Sequence, residues 1–597
     1  MSIRFIQPHT KHERPCIFYF AILSILSATF LQAFETAKAG QYEDDLAGNA
    51  LKETCLEIED SPGGKIIEGI ILVRYPVVGK NDPWPKLLNM FHVTTRDKII
   101  RQELLFHEGE RYDESTVRES ARNLRAMPMI FSMVRILAVK GSAPDRVLVL
   151  VVTKDLWSIR LNTNFNFGGG VFNFVSFLPT EQNLLGLNQQ LSLYARVDRK
   201  VLTFGQLYRV PRVLGSRIAM NEAFALRINR FDGDLEGGLG WLTIRRPLFS
   251  LSSRYSWEIS SYFDTGIERY FQGATQKVIT INYKDQSYKF YHMYDYEKMA
   301  LETRLGISFG HVFKTDFYFG YRAKSNKYCS SSSLDHVPAP VADAYKKISI
   351  PPRDQAGEIF ARIAFFEARY SRQRNIDTYG LTEDVRLGPS LVMEAAHASP
   401  VLGFDQYSVS LSAIGGYRLL IGNNILWVGL SYSARWWPDS GMEGAHSFWI
   451  DRNLEVEFEN ITPMLFDWFR ILSRIHFSSM DYSRSLSIIS IGGNNGLRGF
   501  QSDFRSGTRA LNINIEVRSR PFIFKTLHFG LAAFYDAGDA WMHELGDSIH
   551  YNQSLGIGIR ALFPQFDRGV VRLDFGFPLG GGFSLEHMVT FSYLQAF

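Results

Sequence analysis

From about Trp157 to the end of the chain, apolar residues recur at every second position in stretches of about ten residues, broken by clusters of Gly, Asn, Asp and Ser. The last strands are the clearest. Over 511–518, Leu511, Ile513, Ile515 and Val517 alternate with Asn512, Asn514, Glu516 and Arg518. Over 529–536, Phe529, Leu531, Ala533 and Tyr535 alternate with Gly530, Ala532, Phe534 and Asp536. Leu555, Ile557 and Ile559 alternate with Ser554, Gly556, Gly558 and Arg560, and Val571, Leu573 and Phe575 with Arg572, Asp574 and Gly576. Successive side chains of a strand point to opposite faces, so each segment has one lipid-like and one wet face. A soluble sandwich also alternates, but about 440 residues without a domain break are too many for one, and here charges stand beside glycine on the polar face. The pattern predicts a mainly β protein with a transmembrane barrel of antiparallel strands over 157–597. At roughly 27 residues per strand and connection, the barrel has about sixteen strands.

Ahead of it, 65–155 reads as a small α/β domain. An apolar strand from Ile66 to Val78 passes through Pro83-Trp84-Pro85 into a helical stretch. A second helix places Val117, Ala121 and Leu124 on one face, with Asp113 as N-cap, Tyr112 stapling onto Val117 and Pro128 as the stop. Strands from Met133 to Val139 and from Arg146 to Thr153 follow, separated by the turn-rich 141–145. The predicted order is strand, helix, helix, strand, strand.

The first residues bear on where the chain resides. Arg4, Lys11 and Arg14 precede an apolar run from Cys16 to about Leu31, and Ala37-Lys38-Ala39 supplies a small-residue cleavage pattern before Gly40. This predicts a secretory signal peptide over 1–39 and a linker over 40–64. Past Leu31 no apolar run of 18 residues occurs, so a membrane-spanning form must use strands closed on one another. Aromatic residues make up 14% of the chain while mean hydropathy is -0.09, as expected if apolar and polar positions are interleaved. A net charge of +4 is too weak a field to make nucleic acid the main partner. Cys55 and Cys329 are too far apart in sequence to imply a disulfide framework. A polar stretch from about Tyr328 to Asp354, with Ser330 to Ser333 and four prolines, reads as a long external loop.

Several motifs carry a family resemblance. Gly492-Gly493-Asn494-Asn495-Gly496-Leu497-Arg498-Gly499-Phe500, Glu516-Val517-Arg518, Phe534-Tyr535-Asp536-Ala537-Gly538 and the glycine-rich 554–560 follow one another in the chain. Together they resemble the Arg-Gly-aromatic loop, the Glu-x-Arg strand, the F-x-D-x-G strand and the penultimate region of the BamA/TamA superfamily of outer-membrane assembly and secretion barrels. Upstream, 101–106 with Glu108-Gly109 and the following helix resembles a polypeptide-transport-associated (POTRA) domain. Glu181-Gln182-Asn183-Leu184-Leu185-Gly186 resembles the segment near the first barrel strands. Only one POTRA-like domain can be placed, over 65–155, whereas BamA and TamA carry several. The resemblance implies that Leu497, Arg498, Gly499 and Phe500 fold into the lumen. Arg498 would pair there with a carboxylate, Asp536 first, then Glu516 or Asp574. The final residues Val589, Phe591, Tyr593, Gln595 and Phe597 lie on one face, and the terminal aromatics Phe591, Tyr593 and Phe597 match a barrel insertion signature.

Enzymatic patterns are weak. Gly306-Ile307-Ser308-Phe309-Gly310 fits G-x-S-x-G, but it stands among strand-like segments rather than at a strand-turn-helix elbow, and His107-Glu108 lacks the second histidine of a zinc motif. Neither an enzyme nor a cofactor or metal is expected. The expected function is polypeptide handling at the bacterial outer membrane, by inserting barrel proteins or exporting a passenger, with the small domain in the periplasm. Expected partners are unfolded or secreted polypeptides and outer-membrane lipid, with periplasmic chaperones or accessory lipoproteins as further candidates. The alternative is a passive porin for small solutes.

Overall fold

The computed structural model describes residues 41–597 except 80–81, 128–129, 169–170, 273–274, 331–333, 335, 352–353, 405–406, 439–448, 483–488, 502–503, 543–548, 581–588, 594 and 596–597. The expected signal peptide, Pro128 and Phe597 lie outside the described residues.

Where a linker is expected over 40–64, the chain forms helix α1 (Gln41–Thr54). Its Ala50 packs with Met133, Val139, Leu150 and Val152 on one face of a three-stranded sheet. Strands β1 (Ile66–Tyr75), β2 (Phe131–Lys140) and β3 (Arg146–Asp155) make that sheet in the order β1-β3-β2, with β1 parallel and β2 antiparallel to β3. The other face is covered by α2 (Asp97–Glu103) and α3 (Glu114–Arg125). Asp113 caps α3 by accepting from the backbone N–H groups of Ser115 and Thr116, and Val117, Ala121 and Leu124 are buried. A sheet covered on both faces explains why β3 is apolar at nearly every position from Val147 to Val152 rather than alternating.

The remaining chain is one large antiparallel sheet with barrel order. Its strands run from Ile159–Gly168 to Val589–Tyr593, and the order places the last beside the first. No residue register between that last pair is described. Among the described residues the sheet has twenty strands, rather than about sixteen, once two interrupted strands are each counted once. Asp354–Glu367 and Arg369–Arg374 share the neighbour Thr382–Ala398, and Arg509–Ser519 and Phe522–Phe524 share Leu527–Trp541. Some connections are only two residues long, as between Asp198 and Val201 and between Ile421 and Asn424, so the chain accommodates more strands than an average spacing suggests. The alternation is realised in space. Leu531, Leu555, Ile557 and Ile559 face outward and are exposed, whereas Glu516, Asp536, Arg560 and Asp574 on the opposite face are fully buried. The polar stretch 328–354 is not merely loop, since it contains helix α4 (Ala339–Ser349), whose Tyr345 hydroxyl donates to the carbonyls of Tyr291 and Met293. Ser308 of the G-x-S-x-G pattern stands inside a strand, opposite Asp316.

Two outcomes are expected for the small domain expressed as residues 41–155. Leu124→Asp places a carboxylate at a fully buried position and lowers stability by about 3 kcal/mol or more in urea unfolding; an unchanged midpoint refutes the packing. The hydrogen bonds from the Ser115 and Thr116 side chains, then from their backbone N–H groups, hold the Asp113 carboxyl down to about 2. A depressed carboxylate stabilises the fold above its unfolded value near 4, and this contribution is lost as pH falls from there through 2. Asp113→Asn therefore flattens the unfolding profile over that window, and identical pH dependence of the two proteins refutes the cap's role.

Candidate functional site

Four neighbouring strands, Arg509–Ser519, Leu527–Trp541, Asn552–Leu562 and Val571–Leu579, form the wall on which the motifs meet. Their register sets Glu516, Phe534, Gly556 and Gly576 side by side in one inward row. The glycines make room: a Cβ on Gly556 would lie 2.2 Å from the Phe534 ring, and one on Gly576 would lie 2.6 Å from the backbone N of Gly499. Gly499 has φ +90° and itself meets the Gly576 carbonyl carbon at 2.8 Å from its would-be Cβ, so the loop 489–507 touches the wall backbone to backbone.

That contact delivers Arg498. Its Nε and Nη2 donate to the two oxygens of Asp536 at 2.8 and 2.9 Å, its Nη1 donates to Glu516 at 2.6 Å and to Asp574 at 3.3 Å, and its backbone N–H donates to Asp536 at 3.1 Å. The guanidinium lies 3.5 Å over the Phe534 ring. All three expected carboxylates are thus engaged at once, rather than Asp536 alone. Three further arginines complete the cluster. Arg518 donates to Glu516 at 2.6 Å, Arg560 to Asp574, and Arg572 both to Asp574 at 3.0 Å and to Asn494 at 2.7 Å. Arg498 is 3% exposed and the three carboxylates are fully buried. Charges so far from water are tolerable only because Glu516 and Asp574 are each shared among guanidiniums and Asp536 is held bidentately by Arg498 and by the Asn514 amide at 2.8 Å, and removing one partner strands the rest. Leu497 seats beside Ile491, Ala510 and Ala540, while Phe500 packs on Phe504 at 4.6 Å. Phe591 and Tyr593 occupy the last strand opposite Leu573 and Val571.

A second loop enters the lumen from the opposite end, between Arg374 and Thr382. Glu383 gathers the backbone N–H groups of Ile376, Asp377 and Thr378 at 3.0–3.1 Å, and the Gly380 N–H donates to the Asn375 side chain at 2.6 Å. This fold drives Tyr379 against the wall, where a Cβ on Gly530 would stand 2.3 Å from its ring. Arg518 joins the two loops, because its Nη1 donates to the Ile376 carbonyl at 2.8 Å while its Nε holds Glu516. The alternation already marked Arg518, Arg560 and Arg572 as inward residues. For the second loop the sequence offers only Gly380, which is too common a signal to find it.

The small domain is joined to this same end. Tyr42 of α1 packs with Tyr379, Leu381, Leu562 and Val570, and Glu43 accepts from the Thr382 backbone N–H at 3.2 Å. Arg125, the last residue of α3, grips Asp384 through Nε and Nη2 at 2.7 and 2.9 Å. Asp82 accepts from Lys154 and from Gln565 of the barrel, both at 2.9 Å. Burial pulls the Lys154 ammonium below its usual range, against the opposing pull of Asp82. Trp84 closes the contact edge-on to Phe566 at 4.7 Å. Glu181-Gln182-Asn183-Leu184-Leu185-Gly186 forms the turn after Val171–Glu181 and docks on the domain, with the Arg96 N–H donating to the Gly186 carbonyl at 3.0 Å.

No family model matches the chain, and no curated protein matches it in sequence. Among solved structures, CdiB from Escherichia coli aligns over 94% of this chain and 99% of its own at 12% identity and a TM-score of 0.36. BamA from Haemophilus ducreyi lacking POTRA domains 1-3 aligns over 90% and 88% at 12% identity and a TM-score of 0.32. The copper transporter OprC aligns over 74% of this chain and 72% of its own at 11% identity and a TM-score of 0.35.

The Arg498 cluster is open to a double-mutant cycle in refolded protein. Arg498→Ala is expected to cost about 3 to 5 kcal/mol, and Arg498→Lys nearly as much, because a lysine cannot span both Asp536 oxygens. Coupling between Arg498→Ala and Asp536→Ala, read from urea midpoints in vesicles, should exceed about 1 kcal/mol; additive effects would dissolve the pairing.

Proposed function

We propose that this protein handles polypeptides at the bacterial outer membrane, with the small domain as a POTRA-like module on the periplasmic side. The observation that carries the reading is that two loops fold against the inner wall and the small domain is fastened to one of them. One loop is riveted to the wall by Arg498, a second by Tyr379 and Arg518, and the small domain is fastened to the second. A passive porin needs a continuous wet passage. A barrel that must admit or template a client gains instead from luminal loops linked to a client-facing domain.

The edges of the small sheet support the same reading. Residues 107–112 cover the start of β1 and residues 57–59 cover the end of β2. Leu72 to Tyr75 of β1 have no main-chain partner on the outer edge among the described residues. An extended client can add to such an edge through backbone hydrogen bonds that tolerate varied sequences. Insertion of barrel proteins and export of a passenger both use these devices.

Photocross-linking from position 72, combined with depletion and comparison of the outer-membrane and secreted proteomes, tests the proposal. Client adducts and loss of a defined protein set are expected; unchanged proteomes without adducts refute it. In planar bilayers the wild type should conduct little, and Arg498→Ala combined with Tyr379→Ala should raise the conductance several-fold. A wide ohmic pore in the wild type would instead favour the porin.

A further inference from the structure

The segment between β1 and α2 is unusual for the surface of a small water-facing domain. Residues Lys86–Phe91 form a 3-10 turn with no buried residue. Leu87, Met90, Phe91 and Val93 are 59%, 76%, 60% and 49% exposed. Scattered exposed apolar residues need no explanation, but four large ones within seven positions form a patch, and patches mark contact surfaces. The turn is held in this posture. Asn89 accepts from the Val78 N–H at 3.0 Å and donates to its carbonyl at 2.8 Å, and the His92 ring is clamped between Asp155 at 3.0 Å and Ser158 at 3.1 Å. With Asn89 and His92 tied inward, the apolar neighbours have nowhere to turn but out.

The patch continues into the barrel. Ser158, which holds His92, immediately precedes the first barrel strand, whose outward Ile159 and Leu161 are 41% and 49% exposed. Beside Val93, the docking turn of the barrel presents Leu185, 56% exposed; its carbonyl accepts from Arg96 Nε at 3.0 Å. A Cβ on Gly186 would sit 2.6 Å from the Thr94 carbonyl and 3.3 Å from Val93, so turn and patch are in direct contact. Domain and barrel therefore share one outward apolar surface, at the edge of the belt that faces lipid.

We infer that Leu87, Met90, Phe91 and Val93 dip into the near leaflet and that the occupant of this surface is bilayer lipid, so that the small domain is seated in the membrane interface beneath the first barrel strands. The inference rests on the membrane-barrel reading. Lipid is the occupant that the placement favours, because Ile159 and Leu161 must meet acyl chains if the barrel spans a bilayer, and the patch lies next to them, joined through the His92–Ser158 contact and the approach of Val93 to Gly186. Exposed Lys86, next to Leu87, is placed to meet anionic headgroups.

The experiment uses the full mature chain with Cys55 and Cys329 replaced by serine, reconstituted in phosphatidylethanolamine and phosphatidylglycerol vesicles. Nitroxide labels are attached at Met90→Cys, at Leu531→Cys on the outward barrel face, and at Lys140→Cys on the small domain away from the patch. Collisions with oxygen, enriched in the membrane, and with a water-soluble nickel chelate are compared. The label at 90 is expected to shift from the nickel-accessible pattern of position 140 toward the oxygen-accessible pattern of position 531. A pattern at 90 equal to that at 140, with 531 in lipid, overturns the inference and leaves the barrel reading standing. Water-like behaviour at 531 as well would overturn the barrel reading itself. Shielding of position 90 from both reagents only on adding an unfolded polypeptide would make the occupant a protein and also overturn the inference. Because Met90→Cys lies on an exposed turn, folding is preserved, and the same labels read in detergent with a native-like melting curve verify this.

Discussion

The guanidinium of Arg498 is the point on which the interior of the barrel depends. Four strands bring three carboxylates to one luminal surface; their own Arg518, Arg560 and Arg572 serve Glu516 and Asp574, but among the described residues no strand arginine compensates Asp536. The loop does so, and only because two glycines, Gly499 and Gly576, let two backbones meet without side chains between them. Uncompensated carboxylates at this depth would draw water into the wall or stay protonated at the expense of their hydrogen bonds. The loop is thus part of the wall's electrostatics as well as a cover for it.

Arg518 extends this dependence along the lumen. It takes charge compensation from Glu516 on one side and on the other caps a carbonyl of the loop that enters from the opposite end. The chain of contacts continues through Tyr379 to Tyr42, and through Thr382 and Asp384 to Glu43 and Arg125 of the small domain. A displacement of the domain would break a partly buried bidentate ion pair and uncover the second loop. The physical basis for coupling domain to lumen is therefore a contiguous set of buried polar contacts, each costly to break singly, rather than a flexible tether.

The small domain is held from several sides. Asp82 and Trp84 fix one corner, Arg125 a second, and Glu103, which Arg212 of the barrel grips at 2.9 Å, a third. Polar clamps placed this widely define one orientation, and the exposed apolar turn at 86–93 points where that orientation sends it.

Much of this was legible in the chain itself. The two-residue period separated Glu516, Asp536, Asp574, Arg518 and Arg560 from their outward-facing neighbours, because a strand's geometry assigns faces with no knowledge of its partners. The α3 cap and its apolar face were legible for the same local reason. Other features depended on residues far apart in sequence. Helix α1 lacks a strong periodic signal and exists because Tyr42 finds Tyr379 and Ala50 finds Met133 and Leu150. The count of twenty strands follows from turn lengths that average spacing cannot supply, and the second luminal loop from Glu383 and Gly530 together. Sequence alternation placed three acids on the inner wall; that a single arginine serves all three was decided by strand register and by the close approach of Gly499 to Gly576, because only the folded sheet brings positions 498, 516, 536 and 574 within hydrogen-bond reach.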